Sequence, residues 1–312
     1  MSTILYNAGI FTSNFDLEGT YCRKLRDQYP EYLKLRAQNE YFLESYHYIQ
    51  KEAITKKIRK EGKKVFLDSG AFSAYNTGVS IDLGRYCDYI HKNQDIIQMA
   101  AGLDVIDFDN PARAAKESFR NLKEMERRGV KALPAFHQGE PEEALEYYVA
   151  NYDYVLLGGL VGSSAKVLQA WLDHIFEKYI TNSDGTLKTK IHLFGVTSLP
   201  LMLRYNATSV DSSTWVQWAA YGSILLPRSG RQISISAQSP SKKQVGLHYL
   251  SVRDIERESL AEEIRSYGVD PQAMVDLNIP RWAFNTWAFP QYLKLRSELK
   301  SDTFKATEQG LF

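Results

Sequence analysis

The sequence is poor in the features that mark secreted, membrane-spanning or zinc-stabilised proteins. Its 312 residues include two cysteines, Cys22 and Cys87, which are too few for a disulfide framework or a four-thiolate zinc site. The six histidines form neither a His-Glu-x-x-His motif nor a pair at helical spacing, so we predict no catalytic metal. Apolar runs fall short of the roughly 18 residues of a membrane span, and the N-terminal residues lack a signal-peptide pattern. We therefore expect a cytoplasmic protein without membrane association.

Charge of either sign is not in excess. Lys and Arg number 38, and Asp and Glu number 37, so composition alone does not indicate a nucleic-acid-binding protein. Basic residues are nevertheless concentrated at 51–64, with seven Lys and Arg against two Glu, and again at 228–243. Either group alone is ordinarily a solvated surface, but phosphate binding needs only local positive charge. The residues predicted to contact phosphate are Lys56, Lys57, Arg59, Arg228 and Arg231.

Short apolar runs alternate with amphipathic stretches of helical period, which is typical of an α/β protein with a parallel sheet. The predicted strands are 4–8, 42–47, 65–69, 97–104, 132–137, 154–158, 191–196 and 208–212. Examples of the predicted helices are 111–128, 141–150 and 164–180. Eight such strands favour a closed (β/α)8 TIM barrel over a doubly wound sheet. We predict that residues 1–214 form this barrel as the catalytic domain.

The pattern changes after residue 214. A segment with β-type runs and polar turns, 221–243, precedes a predicted helix at 250–267 and an aromatic run that begins at Arg281. No low-complexity linker separates this region from the barrel. We therefore predict that residues 215–312 form a β-hairpin and helical appendage packed on the barrel.

Polar residues and glycines follow several predicted strands, at the end where a barrel carries its active site. They are Asp68, Ser69 and Gly70, then Asp104, then His137, Gln138 and Gly139, then Gly158 and Gly159 followed by Leu160, and finally Asp211 and Ser212. Any one of these aspartates could serve only as a helix cap, but three aspartates with a glutamine exceed that need. Two close carboxylates can cleave a glycosidic bond, one attacking the sugar carbon and the other protonating the leaving group. The remaining groups could pair with the edge of a flat heterocycle such as guanine.

Five segments, in order along the chain, resemble those of the tRNA-guanine transglycosylase family. They are VFLDSGAFS at 65–73, AGLD at 101–104, FHQGE at 136–140, LLGGLVG at 156–162 and HLFGVTSLPLMLRYNATSVDSSTW at 192–215. The resemblance implies a pentosyl-transferring enzyme that exchanges guanine through a covalent Asp-glycosyl intermediate and needs no cofactor.

The resemblance also implies roles for individual residues. Asp211 falls on the nucleophile and Asp68 on the carboxylate that handles protons. Asp104, Gln138 and the Gly159 backbone fall on groups that bind the base. Further candidates in the same site are Ser69, Gly158 and Leu160. Asp107 is an alternative to Asp104. Phe72 or Tyr75 could stack on the base, although an aromatic residue there could equally belong to the core.

The sequence departs from the family in its C-terminal part. The tRNA enzymes carry a zinc site of three Cys and one His there, which helps to engage tRNA, whereas residues 215–312 contain no Cys. Ala71 and Ser73 also replace the usual Gly and Gln of the first segment. This form resembles the branch of phages and bacterial gene clusters that puts 7-deazaguanines such as preQ₀ into DNA. The partners implied are DNA, a 7-deazaguanine and other proteins of a DNA-modification pathway. The target base would have to be flipped out of its helix. If the chain is phage-encoded, the expected location is the cytoplasm of the bacterial host.

The sequence is also compatible with other functions. One is a tRNA-guanine transglycosylase without zinc, and another is a non-catalytic nucleic-acid-binding partner subunit. The presence of both Asp68 and Asp211 argues against the latter, because a binding subunit needs no nucleophile. A lyase or aldolase barrel would need a Schiff-base lysine at a strand end, whereas Lys131 precedes its strand.

Overall fold

The computed structural model of the chain describes residues 2–160, 164–196, 198–244 and 246–299. Val161, Gly162 and Thr197 of the family-like segments lie outside these ranges, as does the predicted appendage after residue 299. The strands are β1 Ile4–Ala8, β2 Phe42–Ser45, β3 Val65–Asp68, β4 Ile97–Ala101, β5 Ala132–Leu133, β6 Ala135–His137, β7 Tyr154–Gly158, β8 Lys190–Leu193, β9 Ser209–Ser212, β10 Ser223–Leu226 and β11 Arg231–Ser234. The helices are α1 Thr20–Gln28, α2 Pro30–Ala37, α3 Tyr46–Ile49, α4 Glu52–Glu61, α5 Ala71–Thr77, α6 Leu83–Lys92, α7 Pro111–Arg127, α8 Glu142–Asn151, α9 Ala165–Ile175, α10 Leu199–Arg204, α11 Thr214–Ala220, α12 Asp254–Arg265, α13 Pro271–Asp276 and α14 Asn278–Leu299. A π-helical turn, Phe176–Ile180, follows α9, and a 3₁₀ turn lies at Pro240–Lys243.

The first nine strands form one parallel sheet in the order β5-β4-β3-β2-β1-β9-β8-β7-β6. Its two ends, β5 and β6, are halves of one run that Pro134 interrupts, since proline has no N–H for the ladder. The Pro134 carbonyl still accepts a hydrogen bond from the Leu156 amide at 2.9 Å. The sheet therefore closes on itself as a barrel of eight strand runs, and the predicted α/β TIM-barrel fold is confirmed.

Alternation along the strands determines which side chains point into the barrel. Its interior contains one buried residue from each of six strands, namely Tyr6, Leu43, Phe66, Ala101, Ala135 and Leu156. Because successive strand residues face opposite sides, residues two positions further on also point inward. Asp68, His137 and Gly158 stand in this relation to Phe66, Ala135 and Leu156. The apolar interior thus carries a polar layer at the carboxyl ends of the strands.

The helices follow from amphipathic patterns and local caps. In α7, the Asn110 side chain accepts a hydrogen bond from the Arg113 amide at 3.0 Å, and Pro111 occupies the first turn. Buried residues from Ala114 to Met125 recur along one face of this helix. Three predicted strands end two or three residues earlier than expected: β2 at Ser45, directly before α3, β4 at Ala101 and β8 at Leu193.

Contacts divide the chain into two units. The first contains the N-terminal residues through Thr12 and Tyr41–Ser212, and the second contains Ser13–Glu40 and Ser213–Arg296. The predicted boundary at residue 214 differs from this division, because it assigns residues 13–40 to the barrel. Within the second unit, the ring of Phe15 stacks on that of Trp215 with centroids 5.7 Å apart. This aromatic packing explains why residues 13–40 cluster with the C-terminal region.

The second unit contains the antiparallel hairpin of β10 and β11, with Leu226 paired with Arg231. Its helix α12 starts at Asp254, within the predicted 250–267 helix, and the aromatic run forms part of α14. Within the described ranges, no helix has both the length and the hydropathy that a membrane crossing requires.

Candidate active site

A cavity of about 450 Å³ opens at the carboxyl ends of the barrel strands. The predicted residues that line it are Asp68, Asp104, Gln138, Gly158, Gly159, Leu160 and Asp211. Ser69 joins them indirectly, because its hydroxyl donates a hydrogen bond to Asp104 Oδ1 at 2.5 Å. Residues that are far apart in the chain thus meet at one place in the first unit.

Asp68 ends β3 with its side chain directed into the barrel. Burial raises the pKa of this carboxyl to about 7, and repulsion from the negative charges of Asp104 and Asp211 adds to the effect. A hydrogen bond from the Gly70 amide, at 3.1 Å, opposes the rise. Near neutral pH, Asp68 therefore exists in both protonation states and can give up or take a proton.

Asp211 lies on β9, two positions beyond Ser209, and is 6% exposed. Its Oδ1 atom accepts hydrogen bonds from the Gly195 amide at 2.8 Å and from His192 Nε2 at 3.2 Å. Both donors come from β8 and the residues that follow it. The carboxylate therefore stands at the cavity wall with one oxygen bound to the neighbouring strand.

Asp104 follows β4 and lies in a buried network with Ser69 and His137. Burial alone would raise its pKa, but hydrogen bonds from His137 and Ser69 and the charge of His137 lower it below the ordinary value. The Asp104 Oδ2 to His137 Nε2 distance is 3.0 Å. Asp104 is therefore held as a carboxylate, which can only accept hydrogen bonds.

His137 lies between two carboxylates, since its Nδ1 atom is 3.3 Å from Glu140 Oε1. Burial disfavours the charged ring, but hydrogen bonds and attraction from Asp104 and Glu140 outweigh it and raise the pKa of His137 to about 10. A side chain at position 158 would interfere with this arrangement. A Cβ atom on Gly158 would come within 2.5 Å of His137 Cδ2, so a glycine is needed there.

Gly159 and the alternative candidate Asp107 also lie at the cavity. Gly159 has a φ of +73°, and a Cβ atom on it would lie 3.0 Å from the Gln138 amide nitrogen. Asp107 accepts hydrogen bonds from the amides of Asp109 and Asn110 and pairs with Arg113. The Asp107 carboxylate thus shapes the turn before α7, while Asp104 belongs to the buried network.

The two predicted stacking aromatics are not part of the core. Phe72 lines the cavity and is 45% exposed. Tyr75, which is 50% exposed, makes an edge-to-face contact with Phe108 at a centroid distance of 5.5 Å. Phe72 is accordingly the one of the two that a ligand in the cavity would meet.

The structure does not bring the predicted phosphate-binding residues to the cavity wall. Lys56 and Lys57 lie on α4, where Lys56 pairs with Glu52 at 3.1 Å. Arg59, in the last turn of α4, pairs with Asp95 at 2.7 Å. Because Asp95 lies two residues before the start of β4, this pair lies at the amino ends of the strands, away from the cavity.

The remaining two predicted cations belong to the second unit. Arg228 donates to the Ser266 hydroxyl at 3.2 Å and lies over the ring of Tyr267. Arg231 pairs with Glu256 at 2.6 Å. Both side chains thus contribute to contacts within that unit.

Sequence reasoning assigned no role to Glu140 and His192, and none to His137 beyond its place at a strand end. Their signal was inward alternation for the two histidines, which follow the same register as the apolar interior, and an i to i+3 spacing for Glu140. A histidine on a strand is, however, more often a core residue than part of a site.

Among the described residues, no group of three or more His, Cys, Asp or Glu side chains could hold a metal ion.

Fold and site together define a parallel β/α barrel with a carboxylate-lined cavity at the carboxyl ends of its strands. The sequence matches no protein-family model and no curated protein. Among solved structures, a chain from the tryptophan synthase α2β2 complex of Pyrococcus furiosus aligns with a TM-score of 0.39 and 13% identity. The alignment covers 71% of this chain and 90% of that chain. The barrel fold itself is established by the strand order and register given above.

Proposed function

We propose that this chain is an enzyme, a guanine transglycosylase that exchanges guanine in DNA for a 7-deazaguanine of the preQ₀ type. The observation that carries the proposal is the presence of two carboxylates, Asp68 and Asp211, at one cavity in different surroundings. Burial and neighbouring charge raise the pKa of Asp68 to about 7, whereas Asp211 receives two hydrogen-bond donors on one oxygen. Two carboxylates with different tasks are what glycosidic bond exchange requires.

In the first half of the reaction, a carboxylate oxygen of Asp211 forms a bond to C1′ of the sugar as the bond from C1′ to the guanine nitrogen breaks. The electron pair of the broken bond stays on that nitrogen, and protonated Asp68 supplies the proton that the departing guanine needs. In the second half, Asp68 takes the proton from the incoming base, whose nitrogen attacks C1′ and releases Asp211. One glycosidic bond replaces another, so no external energy source is consumed.

The other side of the cavity suits the edge of the base. Asp104 is fixed as an acceptor by His137 and Ser69, and guanine presents adjacent N–H donors. Gln138 offers both a donor and an acceptor, and Gly159 admits a base close to the backbone. A cavity of about 450 Å³ falls within the range that encloses small ligands. A base buried in a duplex cannot reach it, so the target nucleotide must be flipped out.

The test is base exchange with labelled preQ₀, double-stranded DNA and, separately, tRNA. Label in DNA that is lost in Asp211→Asn supports the proposal, because the amide is a poor nucleophile. The matched control is Asp173→Asn, which removes a carboxylate paired with Arg204 at 2.8 Å outside the cavity and leaves exchange intact. Full exchange by Asp211→Asn would refute the assignment of the nucleophile.

The same assay separates the alternatives. Label in tRNA alone would replace the proposal with a tRNA-guanine transglycosylase that lacks zinc. Binding of either nucleic acid without any exchange would replace it with a non-catalytic partner subunit. The salt dependence of binding would then report how many phosphates are contacted.

A further inference from the structure

A chain of hydrogen bonds runs from Asp211 through three buried or partly buried side chains of the barrel. Asp211 Oδ1 lies 3.2 Å from His192 Nε2, and His192 Nδ1 lies 2.5 Å from Ser209 Oγ. The Ser209 hydroxyl is in turn 2.6 Å from the Tyr154 hydroxyl. These residues come from the adjacent strands β7, β8 and β9, with His192 directly paired with Ser209. The proposed reaction assigns no step to His192, Ser209 or Tyr154.

The chemistry of the groups gives this chain a direction. A carboxylate can only accept, so Asp211 requires His192 Nε2 to carry a proton. In a neutral imidazole, Nδ1 is then the acceptor, and the Ser209 hydroxyl donates to it. The Ser209 oxygen accepts in turn from the Tyr154 hydroxyl. Every contact is satisfied when the protons of Tyr154, Ser209 and His192 all point toward Asp211.

Packing against aromatic side chains also fixes the orientation of the His192 ring. His192 is fully buried and makes edge-to-face contacts with Phe194 and Phe66, with centroids 4.7 and 4.8 Å apart, and with Tyr6 at 6.0 Å. A ring held at both nitrogens and by three aromatic neighbours has no alternative rotamer of similar energy. Its Nε2 atom therefore stands at a set position beside Asp211.

We propose that His192 is a positioning residue that holds Asp211 by one oxygen and thereby presents the other to the sugar carbon. Among the described residues, the donors to Asp211 both reach Oδ1, one from His192 and one from the Gly195 amide. Oδ2 is therefore the oxygen that the cavity can use. Attack on C1′ needs an oxygen placed within a few tenths of an ångström, and a freely rotating carboxylate would lose this geometry. The inference rests on the proposed nucleophilic role of Asp211.

The first experiment observes His192 without any substrate. Protein with ¹⁵N-labelled histidine is studied by long-range ¹H–¹⁵N correlation at neutral pH, and the His192 signals are identified by their loss in His192→Phe. We expect a proton on Nε2, with the Nδ1 signal shifted in Ser209→Ala, which removes its hydrogen-bond partner. A ring without a proton on Nε2 would overturn the inference.

The second experiment measures glycosyl-enzyme formation in a single turnover. His192→Phe keeps the aromatic packing but removes the donor, and we expect the rate to fall about 10²-fold while the affinity for the free base stays unchanged. His192→Gln restores an N–H donor, and we expect it to recover about tenfold of that loss. Equal rates for His192→Phe and wild type, or no recovery in a folded His192→Gln, would refute the role.

A control separates positioning from general damage to the barrel. Tyr205→Phe removes a buried hydroxyl that donates to Asp173 at 2.7 Å, outside the chain of hydrogen bonds, and we expect its rate to equal that of wild type. A wild-type protein that forms no glycosyl-enzyme would contradict the proposed function. The orientation of His192 would still be decided by the spectra, so the two failures are distinguishable.

Discussion

The raised pKa of Asp68 predicts that this side chain lowers the stability of the protein. In the unfolded chain the carboxyl has its ordinary pKa of 3.8, whereas in the folded barrel burial and then Asp104 and Asp211 raise the pKa to about 7. The folded state thus holds a proton that the unfolded state releases between these two values. The free energy of unfolding therefore falls as the pH rises from about 4 to about 7, and the cost is constant above pH 7. At 1.36 kcal/mol for each pKa unit, the full cost is about 4 kcal/mol.

Asp68→Asn removes this cost, since the amide has nearly the same shape and does not ionise. We expect the variant to be more stable than wild type by up to about 4 kcal/mol at pH 8 and to match it at pH 3. Urea denaturation of both proteins from pH 3 to 8 measures the difference, provided that the slope of the transition is unchanged. The variant should also fail to exchange bases, because it cannot move a proton. A stability difference that does not vary with pH would refute the reasoning.

Two further predictions concern His137. His137→Gln removes the charged ring between Asp104 and Glu140. The pKa of His137 is about 10 in the folded protein and 6.5 ordinarily, so the charged ring stabilises the folded state. This stabilisation is complete below pH 6.5 and disappears as the pH approaches 10. We expect the variant to be less stable by about 5 kcal/mol at pH 6, with urea midpoints that converge by pH 10, and equal midpoints at pH 6 would contradict this. In Gly158→Ala, the new Cβ displaces the His137 ring, so we expect a loss of about 1–3 kcal/mol in thermal unfolding together with weaker base binding. Unchanged binding by that variant would show that the contact is relieved elsewhere.

Much of the barrel could be predicted from the sequence because its strands carry two signals at once. Apolar β-forming runs mark where strands occur, and polar residues mark where they end. Asp68 shows both signals, since it directly follows three fully buried residues of β3. Asp211 could be placed in the same way at the end of β9. The aspartates at the strand ends could therefore be predicted to lie near one another before their distances were known.

The partners of those carboxylates could not be predicted from the sequence. His137 and His192 both point inward, on β6 and β8, yet one contacts two carboxylates and the other contacts Asp211 and Ser209. Only Glu140, three residues after His137, is local in the sequence, and the contacts with Asp104 and Asp211 depend on which strand lies alongside. A similar limit applies to Arg59, whose partner Asp95 is 36 residues away.

The grouping of residues 13–40 also depends on long-range packing. No function was predicted for residues 1–40 beyond β1, and the predicted barrel of residues 1–214 included them. Arg36, which is fully buried, donates to the Phe15 carbonyl at 2.9 Å, and Tyr32 donates to the Asp270 carbonyl. A contact across 238 residues leaves no trace in local periodicity.

The pairing of β1 with β9 has a consequence for folding during synthesis on the ribosome. Ile4 pairs with Ser209 and Tyr6 with Asp211, so β1 can pair with this neighbour only after about two hundred further residues have been synthesised. At a translation rate of 5–20 residues per second, this edge of β1 remains unpaired for roughly 10–40 s. During that interval the chain exposes an apolar strand edge, which is a site for chaperone binding or aggregation. The same late event delivers Asp211, so a stalled nascent chain that lacks β9 has neither a closed barrel nor its proposed nucleophile.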